Sequence, residues 1–196
     1  MKIGRSGKRA PLPQAPDFEI LERASHNPGG RRLALLALMG DLNFAWSNNE
    51  SLFIYVIMLL LDTDEAAAAI VFATLNTTRA RLDLVDRLAR IRLSDKALRR
   101  ELDGIVKAFS ASTRLRNEIN HATFILSENG EITHTQAMKL EERSGELRFG
   151  ARLPVDEARI VHISASVDEL YRLNRRIWGF LPKLEAAIGL AETAGD

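Results

Sequence analysis

Arg116, Asn117 and His121 fall within the seven-residue string Leu115-Arg116-Asn117-Glu118-Ile119-Asn120-His121. A guanidinium keeps its positive charge in a protein and offers five N–H donors. An imidazole exchanges protons near neutral pH. These are the residue types that metal-free cleavage of a phosphodiester requires. One stabilises the extra negative charge on the phosphorus oxygens, while the other moves a proton to or from the ribose hydroxyl or the leaving oxygen. Asn117 adds an amide beside them.

The surroundings of this string make Arg116 unusual. Ser94 is a good cap for a helix over about Asp95 to Leu126, and at about 100° per residue Leu98, Ile105, Phe109, Ser112, Ile119 and Thr123 form its inward arc. Arg116 lies in the middle of that arc. Burial of a lone guanidinium is costly, so it requires a carboxylate partner, a water-filled cleft or a bound anion. Glu50 is the expected carboxylate and Asp62 the second candidate; such a pair could equally do no more than fix helix register. On a straight helix Arg116 and His121 stand about 140° apart, which makes it hard for one subunit to aim both at one phosphate. A two-fold interface eases this, because each helix can supply one group to a shared site.

Other helices must carry that one. From Arg31 to about Asp62, apolar residues recur at Leu35, Met39, Leu42, Trp46, Phe53, Val56 and Leu60, with Asn49 completing a 4,3,4,3 spacing. Asp62 and Glu65 resemble a capping box that closes this helix and opens a second, which runs to about Arg92 with Val71, Phe72, Leu75, Leu82, Val85, Leu88 and Ile91 inward. After the third helix, Ser-Glu-Asn-Gly at 127–130 signals a turn, and alternation through Ile132, Met138 and Leu140 predicts a β-hairpin over about 131–153, with another turn at Arg143 to Gly145. Asp156 caps a fourth helix bearing Ile160, Ile163, Val167, Leu170, Ile177 and Leu181, which Pro182 ends or bends. The expected fold is therefore all-α: an antiparallel four-helix bundle over 29–196 with an inserted β-hairpin. Residues 1–28, rich in proline and basic side chains, read as a flexible basic arm that is either solvated or in contact with RNA or a partner.

Composition narrows the chemistry. A chain of 196 residues with 46% hydrophobic and 27% charged residues suits one domain with a real core. Having no cysteine, it excludes a disulfide scaffold, an iron–sulfur site, a thiolate zinc site and a thiol nucleophile. His26, His134 and His162 show no ligand spacing, and Gly29-Gly30 lacks the pattern of a phosphate loop, so no metal or cofactor is expected. Nothing places an acid behind His121 as a hydrolase triad requires. Trp46 and Trp178 lie on helical stripes and read as core. The longest apolar run, Leu52 to Leu61, has ten residues, and the amino terminus lacks an apolar stretch, so a cytoplasmic protein without a membrane partner is expected. The formal net charge is only +1, yet residues 79–116 hold eleven Lys or Arg against five Asp or Glu. That local excess favours an anionic partner, RNA above all, with Arg99, Arg100 and Arg114 as candidate contacts; solvated helix faces are the plainer reading.

The segment Arg116-Asn117-Glu118-Ile119-Asn120-His121 resembles the Arg, polar residue, three residues, His pattern of the HEPN superfamily (higher eukaryotes and prokaryotes nucleotide-binding), and it lies late in a long third helix as that family places it. Helix order is similar over roughly residues 31–183. The resemblance implies a four-helix bundle and, in many members, a dimeric metal-independent endoribonuclease that leaves a 2′,3′-cyclic phosphate. Carried over to this sequence, it implies that Arg116 binds the scissile phosphate, that His121 serves as acid or base and that Asn117 orients one of them. Toxin members paired with a nucleotidyltransferase antitoxin often have tyrosine two positions after the histidine; Thr123 stands there, which argues against that partnership. A noncatalytic helical module that binds RNA or protein is the competing expectation.

Overall fold

A computed structural model describes residues 29–138, 140–143 and 146–193, together with Phe18, Glu19 and Glu22. Among these residues the chain is mostly helical, with a small three-stranded antiparallel sheet. The arm expected over 1–28 lies outside them except for Phe18, Glu19 and Glu22, which are helical.

Helix α1, Gly30–Leu61, follows the apolar spacing of its sequence and buries Leu35, Leu42, Trp46, Asn49, Phe53, Val56 and Leu60. It ends where Asp62 adopts a left-handed conformation, φ 53°, so Asp62 closes α1 and does not open the next helix. The cap of α2, Glu65–Thr74, is Asp64, whose carboxylate accepts from the Ala67 N–H at 2.8 Å.

The second helix expected to reach Arg92 is broken in two. Leu75 is extended, and α3, Thr78–Arg92, begins afresh with the Thr77 hydroxyl accepting from the Ala80 N–H at 3.1 Å. The break is stabilised from both sides, because Arg81 Nε donates at 3.1 Å to the carbonyl of Phe72, one of the orphan acceptors in the last turn of α2. Ile91 is 81% exposed, contrary to its inward assignment.

Helix α4, Lys96–Asn120, is capped by Asp95 in place of Ser94 and stops six residues before Leu126. Residues Ala122–Leu126 instead form strand β1. The run Thr-Phe-Ile is β-branched and aromatic, and pairing with a neighbouring strand overrides continuation of the helix. Strand β2, Ile132–Ala137, lies antiparallel to β1 across the turn at Ser127 to Gly130, with Thr123 opposite Gln136 and Ile125 opposite His134. Gly130 has a positive φ of 77° there, as the turn signal requires. Strand β5, Arg152–Pro154, joins the outer side of β2. Strands β3, Leu140–Arg143, and β4, Glu146–Phe149, form a separate two-stranded ribbon. The β2–β5 and β3–β4 pairs are successive antiparallel ladders within Ile132–Pro154, the segment expected to form the hairpin, and β1 adds a strand where the helix was expected to continue.

Helix α5, Glu157–Thr193, is capped by Asp156 as expected, its carboxylate accepting from the Arg159 N–H at 2.9 Å. It runs on through Pro182 without ending there.

Helix α1 is central: it packs most extensively against α5 and also touches α2, α3 and α4. Phe109 of α4 is fully buried between Trp46, with ring centroids 5.4 Å apart, and Phe53, at 5.2 Å. Burial of each such ring stabilises the fold by about 1.5–3 kcal/mol. Trp178, expected in the core, is 55% exposed. By length and composition α1 is apolar enough to cross a membrane; in this fold its buried stripe faces the other helices.

Candidate functional site

The end of α4 meets the middle of α1. Trp46 is fixed there by two contacts: its ring stacks on Phe109, and its indole N–H donates to Thr113 Oγ1 at 3.0 Å. Arg116, one turn beyond Thr113, lays its guanidinium over the Trp46 ring at 4.4 Å from the centroid. Arg116 is half-buried, at the rim of the apolar arc and not at its centre. A guanidinium over an indole face is stabilised by the ring quadrupole without losing its charge.

Its polar contacts are amides. Nη1 donates to Asn117 Oδ1 at 3.0 Å. The carboxamide of Asn120 stands between Arg116 and Asn43 of α1. With its oxygen toward the guanidinium, it accepts from Nε at 3.0 Å and Nη2 at 3.3 Å, and its carboxamide lies against that of Asn43. The reverse orientation pairs the two carboxamides with each other but sets an NH2 group against guanidinium N–H groups, donor against donor. Asn43 is itself tied to the Met39 carbonyl at 3.0 Å.

Among the described residues Arg116 forms no ion pair. The expected partner Glu50 is engaged elsewhere: it pairs with Arg81 Nη1 at 2.9 Å and accepts from the Thr78 hydroxyl at 2.6 Å. Asp62, the second candidate, is an exposed helix cap. Glu118, inside the motif, pairs with Arg159 of α5.

His121 is the C-cap of α4 and exposed. Its backbone N–H donates to Asn117 O at 3.0 Å, and its carbonyl accepts from Met138 N–H at 3.1 Å where β1 begins. The histidine therefore sits at a helix-to-strand junction fixed by backbone hydrogen bonds, with its ring at the surface. Asn117 is also exposed. Arg116, Asn117 and His121 thus lie within the last two turns of α4 and its cap, two of them at the surface and Arg116 half-exposed.

The candidate RNA contacts are not gathered here. Arg114 projects from another side of α4, lining both the groove of about 600 Å³ between α3 and α4 and a smaller one toward α5. Arg99 and Arg100 lie near the start of α4, with Arg100 roughly 24 Å from Arg116 by helical rise. The larger groove is lined instead by Arg79, Arg90, Lys107 and Arg114, with Asp83, Asp86 and Asp103 among them. Sequence reasoning missed Trp46, Asn43, Asn120 and Thr113 as surroundings of Arg116. The one available signal was Asn43 three residues before Trp46, which puts a polar side chain beside the apolar stripe of α1.

Among the described residues no cluster of three or more His, Asp or Glu could hold a metal ion. Comparison with protein-family models, with curated proteins and with solved structures gave no match.

Proposed function

We propose that this chain is a metal-independent endoribonuclease of the HEPN type, with α1, α3, α4 and α5 as an antiparallel four-helix bundle and the sheet as an insertion. The observation that carries the reading is a half-exposed Arg116 that is held by an indole face and amides, with no carboxylate among the described residues to neutralise it, five residues before a surface histidine. A register-fixing arginine would be satisfied by an acid; this one keeps its charge for an anion.

In this reaction the ribose 2′-oxygen attacks phosphorus and gives up its proton, the bond from phosphorus to the 5′-oxygen breaks, and that oxygen takes a proton. The products are a 2′,3′-cyclic phosphate and a 5′-hydroxyl. Arg116 stabilises the charge that accumulates on the phosphorus oxygens, and His121 moves one of the two protons. Asn117, bonded to Nη1, orients Arg116. A homodimer in which each subunit supplies one group meets the angular separation of the pair, and a cytoplasmic location suits an RNA substrate.

The test is incubation of the purified protein with total RNA in EDTA. Arg116→Ala and His121→Ala are each expected to lower cleavage by about 10²–10³-fold with the fold intact. Cleavage that survives both substitutions would reject the assignment. The second reading, a noncatalytic RNA-binding module, draws on the four cations around the α3/α4 groove. It predicts salt-dependent binding without product.

A further inference from the structure

The amides and the ring around Arg116 do more than fill space. Of its five N–H donors, two face the Asn120 oxygen and one faces Asn117. Two remain at the η end, the number used in a bidentate contact with two oxygens of one anion. Among the described residues every group that holds the guanidinium is neutral, so its charge is undiminished. Two of the holders belong to α1, and both are anchored in turn, Trp46 by Thr113 and Asn43 by the Met39 carbonyl.

We propose that Trp46, Asn43 and Asn120 are positioning residues, a charge-neutral clamp that fixes the Arg116 guanidinium with its free η edge toward solvent to receive a phosphodiester oxyanion. The proposal rests on the nuclease reading for its ligand but not for its geometry. Trp46 sets the plane of the guanidinium. Asn120 sets its rotation within that plane, and Asn43 packs its carboxamide against that of Asn120 from α1. A carboxylate at position 120 would hold the same N–H groups but cancel the charge that an anion needs.

The experiment uses the full chain labelled with ¹⁵N at arginine, with Arg116→Ala identifying the Arg116 Nε–H signal. In the wild type this signal is expected to be shifted and slow to exchange, and Asn120→Ala to return it to the position of free arginine. A hexanucleotide with 2′-O-methyl riboses, which lacks the attacking hydroxyl, is expected to shift the wild-type signal. Its affinity should fall roughly tenfold in Asn120→Ala and roughly threefold in Asn43→Ala. Neither change should add to the loss in Arg116→Ala, because both act through Arg116. Asn120→Asp should lose at least as much affinity as Asn120→Ala, whereas a merely structural acceptor would be rescued by the aspartate. An Arg116 signal unmoved by Asn120→Ala, or losses that multiply with Arg116→Ala, would overturn the clamp and leave the nuclease reading standing. A signal that responds to Asn120→Ala but not to the oligonucleotide would overturn the reading and the anion-receiving role, while the packing geometry stands.

Discussion

Among the described residues two arginines lie over aromatic rings, and their polar partners differ. Arg81 sits 4.0 Å from the centroid of Phe72 and pairs with Glu50 at 2.9 Å, with side-chain exposures of 18% and 14% for the two partners. Arg116 sits 4.4 Å from the centroid of Trp46, and among the described residues its polar side-chain contacts are amides. The first arrangement closes a charge inside the protein and seals the break between α2 and α3. The second holds a charge still and leaves it available. Removing Arg81 strands a mostly buried carboxylate, and breaking a pair of that kind is costly. Arg81→Ala is therefore expected to destabilise the fold by about 2–3 kcal/mol in urea unfolding, allowing for partial exposure of the pair. Arg116→Ala should cost less than about 1 kcal/mol, the worth of a partly exposed cation–π contact. If the two variants lose equal stability, the distinction between a structural and a functional arginine fails.

The contrast can be sharpened beneath the ring of Trp46. Thr113→Val keeps the shape of the side chain but removes the acceptor of the indole N–H, which then lies in a largely dry site. The expected cost is about 1–2 kcal/mol. For a domain of this size that corresponds to a melting temperature lower by roughly 2–8 °C. The Trp46 emission should also change, since the ring loses its in-plane anchor. An unchanged melting temperature would mean that the ring is held by Phe109 alone and that the Arg116 platform does not depend on α4 at this point.

The parts of this architecture legible in the sequence are those set by local patterning. The stripe of α1, the Asp156 cap, the turn at 127–130 and the inward set of α5 all follow from spacing and turn chemistry. What escaped depends on contacts between elements. The break at Leu75 rests on the Thr77 cap and on Arg81 reaching back to Phe72, and neither interrupts the apolar period strongly enough to be read alone. The end of α4 at Asn120 was readable in principle from Thr123-Phe124-Ile125, but helical and strand readings compete over so short a run until β2 pairs with it. Glu50 was expected to pair with Arg116 and pairs with Arg81 instead. The choice between Arg81 and Arg116 is made by where α3 packs, which no spacing encodes. In the candidate site, the string 116–121 stood out by residue type, whereas its holders on α1 became visible only once the two helices were side by side.

The smallest expected effect concerns a tie between α1 and α5 on an exposed surface. The Tyr171 hydroxyl donates to Asp41 Oδ1 at 2.8 Å, and that hydrogen bond, ahead of desolvation and the carboxylate charge, raises the phenol above its ordinary value of 10.0. A group that holds its proton more tightly when folded contributes stability at pH values below its unfolded pKa and loses that contribution as pH rises through the folded pKa. The tie should thus be present at neutral pH and disappear in alkali, when the phenolate would face a carboxylate. Thermal unfolding from pH 8 to 11.5 is expected to show a steeper decline above pH 10 for the wild type than for Tyr171→Phe, with the two curves converging at the alkaline end. Parallel curves throughout would show that the hydroxyl does not link these helices in solution. Because Tyr171 bonds Asp41 and none of the residues that contact Arg116, RNA cleavage by Tyr171→Phe should equal that of the wild type at neutral pH, which separates a structural tie on α1 from the amide clamp on the same helix.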